Sequence, residues 1–288
     1  MGADLITADG QFHRLSEQEN PDLFWAIRGG GGNFGVVTSF RISSACRGPQ
    51  SSGGATLAYP ATQVRDSTRG STRTSVHARR ASCTWNSTPQ RRCRTGRPRP
   101  STSVILADPK AGEKAIEPLL KFGKPTMNTI KMQDYVAVQK QFDGPPLSEY
   151  NSYLKSGFIR EMTPGLIDVI ANELHADEIF SASASHFGGA IGDRSPTATA
   201  FTHREANFMV FVGAGWKDAA DNDRYRNELR TRWERGQAFH VGLLREPQRG
   251  DQRATDDNYG PNHARLAALK RQYDPTNLFR LNANVRPV

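Results

Sequence analysis

The segment that decides the fold is TADGQFHRLSEQENPDLFWAIRGGGGNFGVVTSFRI, residues 7–42. Its Asp9-Gly10 pair is a strong signal for a tight hairpin turn between two short strands. Asn20-Pro21 is typical of a helix N-cap followed by the first helical residue. The run 36–42 is rich in β-branched residues and therefore indicates a strand. Together with the apolar residues just before the turn, this order predicts a ββαβ unit over residues 1–42.

A glycine-rich loop, RGGGGNFG from Arg28 to Gly35, joins the predicted helix to the strand that follows it. The loop satisfies the spacing GxGxxG, but a dinucleotide-binding fingerprint needs a strand before the glycines and a helix after them. Here the order is reversed, so the Rossmann interpretation fails. Successive glycines still let backbone N–H groups approach a ligand closely. From the loop alone, ligand contact and a purely structural helix-to-strand connection both stay open.

Ordinary globular patterning returns after residue 103. Apolar periodicity of 3.6 residues predicts helices around 116–120, from Pro164 to Leu174, around 225–233 and over 266–273. Runs of alternating or β-branched apolar residues predict strands over 104–107, 155–160, 179–191 and 201–216. Strands and helices in this irregular order favour an α+β fold over a doubly wound sheet.

The positive charge of the chain is concentrated in residues 43–103. This segment holds 11 Arg, no Lys, one Asp and no Glu, so it carries +10 while the whole chain carries +9. It also holds all three cysteines, an odd number without CxxC spacing, which argues against a disulfide framework or a metal site. Leu57, Val64 and Val76 are its only aliphatic branched residues, too few to offset the entropy of ordering the segment. We therefore predict that residues 43–103 are largely disordered.

Two interpretations of this Arg-rich segment are open. Arg neutralises phosphates and releases counterions, so the segment is a candidate arm for binding nucleic acid or anionic surfaces. Its bias to Arg, Ser, Thr, Pro and Cys is also what an out-of-frame translation of GC-rich DNA gives. We favour the second hypothesis, two compensating frameshifts or a mispredicted splice, and regard nucleic acid as an unlikely partner.

Targeting signals are not visible in the sequence. No run approaches the roughly 20 apolar residues that a membrane-spanning helix needs, and the N-terminus MGADLITADG lacks the charged start and apolar stretch of a secretory signal. These features predict a chain without a membrane segment, and they leave its compartment unknown.

Residues 7–42 resemble the second half of the FAD-binding domain, of PCMH type, in FAD-linked oxidases similar to berberine bridge enzyme. The run NYGPNHARLAALKRQYDPTNLFRLNANV, residues 258–285, resembles the C-terminal signature of that family, and TAFTHREANFMVFVGAGW, residues 199–216, resembles a strand pair of its substrate domain. The resemblance implies the tail of a PCMH-type domain plus a substrate domain with an antiparallel sheet covered by helices. It divides the chain into 1–42 (FAD-binding part), 43–103 (aberrant segment), 104–257 (substrate domain) and 258–288 (berberine-like C-terminal segment).

The same resemblance implies an FAD-dependent oxidase. The enzyme would transfer a hydride from an alcohol or C–H carbon of a sugar, alcohol or natural product to the flavin, with O₂ as acceptor. The positions that match cofactor contacts in the family are Gly30, Gly31, Gly32, Asn33, Phe34, Gly35, Val36, Val37, Asn282 and Asn284. The loop residues among them would contact FAD through backbone groups.

Departures from the family pattern put activity in doubt. The first FAD subdomain, with the His and often the Cys that attach the flavin, would precede Met1, so we predict an N-terminally truncated member that holds FAD weakly and is inactive. The family's catalytic Tyr has its counterpart in His240, within AFHVGL. An imidazole titrates near neutral pH and could act as a base, but we favour the alternative, an accidental His in a degraded segment. No metal site is predicted, since His175, His186 and His203 lack ligand spacing.

Overall fold

The computed structural model describes residues 1–42, 51–59, 65–66, 81–86, 99–105, 117–118, 120–121, 124–125, 127–129, 131–140, 150–174, 179–187, 191–236, 242–244, 258–281 and 283–288. The chain divides into two compact units. The first comprises Met1–Cys46, Ala190–Glu205 and Gly242–Val288, and the second comprises Arg47–Gly189 and Ala206–Val241.

Strands and helices are numbered in chain order. The strands are β1 (Gly2–Ile6), β2 (Phe12–Leu15), β3 (Val36–Arg41), β4 (Ser51–Tyr59), β5 (Ala81–Asn86), β6 (Arg99–Ile105), β7 (Met127–Asn128), β8 (Lys131–Asp134), β9 (Asn151–Ile159), β10 (Phe180–His186), β11 (Phe208–Trp216) and β12 (Gly242–Leu244). The helices are α1 (Pro21–Ile27), α2 (Tyr135–Lys140), α3 (Pro164–Leu174), α4 (Asn222–Gly236) and α5 (His263–Tyr273). Short 3₁₀ turns occur at Gly31–Asn33, Ala219–Asp221 and Gly260–Asn262.

The ββαβ prediction for residues 1–42 is confirmed. Strands β2, β1 and β3 form an antiparallel sheet in that order, and Gly10 closes the hairpin with a left-handed φ of 80°. Asn20 occupies the N-cap position of α1, but its side chain makes no cap bond. Instead its Nδ2 donates to the backbone oxygen of Arg14 at 2.8 Å, because its own backbone is left-handed.

The core of the first unit packs α1 and α5 against one face of this sheet. Its fully buried residues include Leu5 and Leu15 from the sheet, Leu23 from α1 and Leu266 from α5. At roughly 25 cal/mol per Å² of apolar surface, each buried leucine stabilises the unit by about 1.5–3 kcal/mol. The C-terminal segment therefore folds as part of the same core as the first 42 residues.

The second unit contains an antiparallel sheet whose strands include β9, β11, β10, β5, β6 and β4 as successive neighbours. Helix α3 buries Leu166, Ile167 and Ile170 against β10 and β11, and α4 buries Tyr225 and Leu229 in a second cluster. Both helices were expected from the spacing of these residues. The fold is thus α+β, with helices on an antiparallel sheet, as the sequence predicts.

Two strands are shorter than predicted. Strand β10 ends at His186, and β11 begins at Phe208 rather than at residue 201. Residues 190–205 belong to the first unit, where Thr202 and His203 are buried and the His203 ring contacts the backbone oxygen of Asn258 at 3.2 Å. Local β-propensity in this stretch is overridden by these contacts. The predicted bounds of the domains stay a prediction.

Segment 43–103 contains described strands. It includes β4, β5 and the first part of β6. Strand β6 pairs with β4 and with β5, in antiparallel register in each case. The expectation of disorder thus differs from the structure for these residues, because backbone N–H and C=O groups pair across strands whatever the side chains are. The interpretation of the segment as a frame or splice error stays a prediction.

Candidate functional site

The glycine-rich loop connects α1 to β3, and three of its glycines are needed for packing within the chain. A Cβ added to Gly29 would lie 2.1 Å from the backbone nitrogen of Phe201, and one added to Gly35 would lie 2.3 Å from the backbone oxygen of Ile6. A Cβ on Gly30 would lie 2.5 Å from the backbone oxygen of Ala26. These positions therefore support the structural interpretation of the loop.

Gly31 and Gly32 behave differently from the other loop glycines. Both are exposed, and a Cβ added to Gly31 would meet nothing nearer than the Tyr259 hydroxyl at 3.8 Å. Gly31 is also left-handed, with a φ of 65°, so glycine is the residue that holds this conformation without strain. These two residues leave bare peptide backbone at the surface, which a flat ligand can approach closely.

Asn33 fastens this loop to the C-terminal segment. Its Nδ2 donates to the backbone oxygens of Gly30 at 2.8 Å and Ala283 at 3.0 Å, and to the hydroxyl of Tyr259 at 3.0 Å. Its Oδ1 accepts from the backbone N–H of Val285 at 3.0 Å. The side chain is buried and fully used by these contacts. The loop and residues 283–285 are therefore held next to each other.

Tyr259 is a member of this cluster that the sequence did not single out. Its hydroxyl lies 2.9 Å from the backbone oxygen of Ala283 and 3.2 Å from that of Gly30. Burial raises the pKa of the Tyr259 hydroxyl to about 12. The group stays protonated at neutral pH and donates a hydrogen bond, which makes it a poor general base. A Tyr beside a helix start carries no sequence signal for such a role.

Asn284 lies in the sequence between Ala283 and Val285, whose backbone groups both hydrogen-bond to the Asn33 side chain. Its Oδ1 is buried and has no hydrogen-bond partner among the described residues. A buried acceptor without a partner is uncommon in folded proteins, and an absent ligand or water is one ordinary explanation. Beside the loop, Val36 is 56% exposed. The arrangement thus combines open peptide backbone, an apolar side chain and an unpaired carboxamide oxygen.

The other residues predicted for the site fall into three groups. The side chain of Phe34 lies in the hydrophobic core, so this residue can reach a ligand through its backbone alone. Val37 packs partly against the same core. Asn282 and His240 lie outside the described residues, and their roles stay predictions.

In the described parts of the chain, no group of three or more His, Cys, Asp or Glu side chains is arranged to hold a metal ion. Likewise, no helix within the described ranges has the length and hydropathy to cross a membrane. His186 packs edge-to-face against Phe208.

Comparison with known proteins shows what the chain is similar to. Residues 228–286 match the family model described as berberine and berberine like. The whole chain aligns with an FAD-linked oxidoreductase of Dictyostelium discoideum at 25% identity, and with the FAD-linked oxidoreductase YgaK of Bacillus subtilis at 29% identity. It spans 63% and 62% of the length of these two relatives.

Solved structures show the same fold. The chain superposes over its full length on 66% of xylooligosaccharide oxidase from Myceliophthora thermophila in complex with xylobiose, with a TM-score of 0.81 and 20% identity. The family model, the aligned relatives and the fold agree. The chain is thus similar to FAD-linked oxidoreductases of the berberine-like type.

Proposed function

We propose that this chain forms one wall of the FAD site of an oxidoreductase. The observation that carries the proposal is the set of hydrogen bonds from Asn33, which bring the exposed Gly31–Gly32 backbone next to Asn284. The relatives are named FAD-linked oxidoreductases, and this supports FAD as the ligand.

The residues of the wall fit a flavin nucleotide. The open backbone at Gly31 and Gly32 can lie against a planar ring or a ribityl chain without obstruction by Cβ atoms. Val36 offers apolar contact, and the unpaired Oδ1 of Asn284 can accept from an N–H or hydroxyl group of the ligand. When bound, FAD would supply the redox chemistry, accepting a hydride from the substrate and passing electrons to O₂.

The protein itself would bind and orient the flavin and the substrate and would supply proton transfer. We propose His240, at the position that matches the family Tyr, as the candidate base of a longer relative in which the FAD site is complete, since an imidazole titrates near neutral pH. The substrate class is a sugar, alcohol or natural product with an oxidisable C–H bond. A solved neighbour that was crystallised with xylobiose supports the saccharide option.

Binding through this wall alone is expected to be weak. The chain spans less than two thirds of its relatives, and an immobilised ligand loses about 4–15 kcal/mol of translational and rotational freedom. With contacts from this wall alone, the dissociation constant should lie above about 1 μM, which corresponds to roughly 8 kcal/mol, and the chain should show no oxidase activity.

Titration of the purified chain with FAD, followed by flavin fluorescence, tests this proposal. We expect saturable binding between about 1 μM and a few millimolar. Asn284→Leu should weaken it about tenfold, because the substitution removes the unpaired acceptor. Asn207→Leu, at an exposed position of the second unit, is the matched control and should leave it unchanged. Binding at or below about 1 μM would show that this wall suffices, and no saturation at millimolar FAD would contradict the site itself.

A nucleic-acid function is not favoured. Within the described part of the Arg-rich segment, Arg65 pairs with Asp168 at 2.8 Å. Transcript sequencing across residues 43–103 separates a true basic arm from a frame error.

A further inference from the structure

Lys270 is a buried cation at the centre of the first unit. It lies in α5, and its side chain is 0% exposed. Its Nζ donates to the backbone oxygens of Asn33 and Phe279, each at 2.7 Å, and to Oδ2 of Asp274. An ammonium group has three donors, so all three have an acceptor.

Asp274 completes the arrangement on the other side of the ammonium. Its Oδ1 accepts from the backbone N–H of Leu278 at 2.7 Å, and its Oδ2 accepts from that of Phe279 at 2.9 Å. The carboxylate therefore both neutralises Lys270 and closes the turn that follows α5. Through this turn the chain is directed into residues 280–288.

Lys270 and Asn33 fasten the same loop at two points. Lys270 connects the Asn33 backbone to Phe279, while the Asn33 side chain connects the loop to residues 283–285. The segment from Phe279 to Val285, which is held at both ends by these bonds, contains Asn284. A hydrophobic pair of similar volume would often stabilise a core at least as well as a buried ion pair, so stability alone is a weak reason for a lysine here. Hydrogen bonds of fixed direction, in contrast, set the position of what they hold.

We infer that Lys270 is a positioning residue for the FAD wall, which fixes the distance between the Gly31–Gly32 backbone and Asn284 through Asn33 and Phe279. This inference rests on the proposed function. It assigns to Lys270 a role in ligand affinity that acts through the loop and not by contact with the flavin.

The test uses the full chain and a variant designed to keep its fold. Lys270→Met with Asp274→Asn is neutral and close in shape, so it leaves no unpaired buried charge. Arg271→Met removes the same charge from an exposed position one residue further along α5. Each variant is examined by FAD titration, by thermal unfolding and by amide hydrogen exchange of residues 278–288.

The double variant should unfold at a lower temperature than the parent chain, because the carbonyl oxygens of Asn33 and Phe279 lose their donor. Under conditions where it is folded, it should bind FAD about tenfold more weakly and exchange its 278–288 amides about tenfold faster. Arg271→Met should retain FAD affinity within about threefold. Equal FAD affinity in the parent and the double variant overturns the inference, even if exchange rises, because the lysine is then structural only. An absence of FAD binding by the parent chain refutes the proposed function instead and removes the positioning role with it.

Discussion

Asn33→Ala tests the contact that brings the two halves of the wall together. The substitution removes the two N–H donors of Nδ2, which are shared among three acceptors, and the acceptor Oδ1. It leaves the buried N–H of Val285 without its acceptor, which costs about 1–3 kcal/mol, and the lost bonds to Gly30 and Ala283 add about 1 kcal/mol because Tyr259 still donates to one of them. The expected loss in the free energy of unfolding of the first unit is about 2–4 kcal/mol.

Hydrogen exchange at increasing urea concentration is the appropriate assay, because a chain of two units need not unfold in one step. Peptides from residues 21–42 and 258–288 report on the first unit. Asn20→Gly is the control, since glycine adopts the left-handed φ of 51° found there and only an exposed bond to Arg14 is lost. It should change the free energy by less than about 1 kcal/mol.

Asn33→Asp separates hydrogen-bond direction from size. Aspartate keeps the shape and can accept from Val285, but it presents an oxygen where Nδ2 donates to the Gly30 and Ala283 carbonyls. Because a buried charge facing carbonyl oxygens is unfavourable, this variant should be destabilised at least as much as Asn33→Ala. A loss below about 1 kcal/mol in both variants would refute the claim that Asn33 holds the loop to the C-terminal segment.

Three further variants test the energetics of the fold. Gly29→Ala should lower the free energy of unfolding by at least about 3 kcal/mol, because the new Cβ lies 2.1 Å from a backbone nitrogen. Gly10→Ala has nothing within 4 Å of its new Cβ and should lower it by about 1–2 kcal/mol, for its left-handed φ alone. Melting temperatures compare the two variants. Burial alone would raise the pKa of Asp274, but hydrogen bonds from Lys270 and two backbone amides lower it. The pair therefore stabilises the protein above the unfolded pKa near 3.9 and loses this effect as the pH falls through the lower folded pKa, so Asp274→Asn should reduce the acid dependence of the urea midpoint. Leu229→Ala, fully buried in the second unit, should lower its stability by about 2–5 kcal/mol, as measured by hydrogen exchange of residues 151–159.

Local patterns predicted the elements of the first unit because their signals lie within a few residues. Asp9-Gly10 marks the hairpin, and Pro21 marks the start of α1, and both effects depend on the backbone of neighbouring residues. In the second unit, α4 was predicted from the spacing of Tyr225, Leu229 and Trp233, all of which are buried. Helical periodicity of this kind needs no tertiary information.

Local sequence patterns could not predict the contacts that build the site. The bond between Asn33 and Val285 spans 252 positions, and no local property of either residue indicates it. Lys270 and Asp274 have the i,i+4 spacing of an ordinary surface ion pair, and only the packed structure shows that both side chains are buried. The loop glycines also look alike in sequence, although their surroundings differ. The backbone of Phe201 leaves no room for a side chain at Gly29, whereas Gly31 faces solvent.

The most direct test of the FAD wall is to locate the cofactor on the chain. Protein labelled with ¹⁵N at glycine is titrated with FAD and followed by amide NMR. The amide signals of Gly31 and Gly32 should shift in a saturable way, while those of Gly10 at the hairpin and Gly236 at the end of α4 should stay unchanged. Shifts confined to glycines of the second unit, or unshifted Gly31 and Gly32 signals when FAD saturates the protein, would contradict the account.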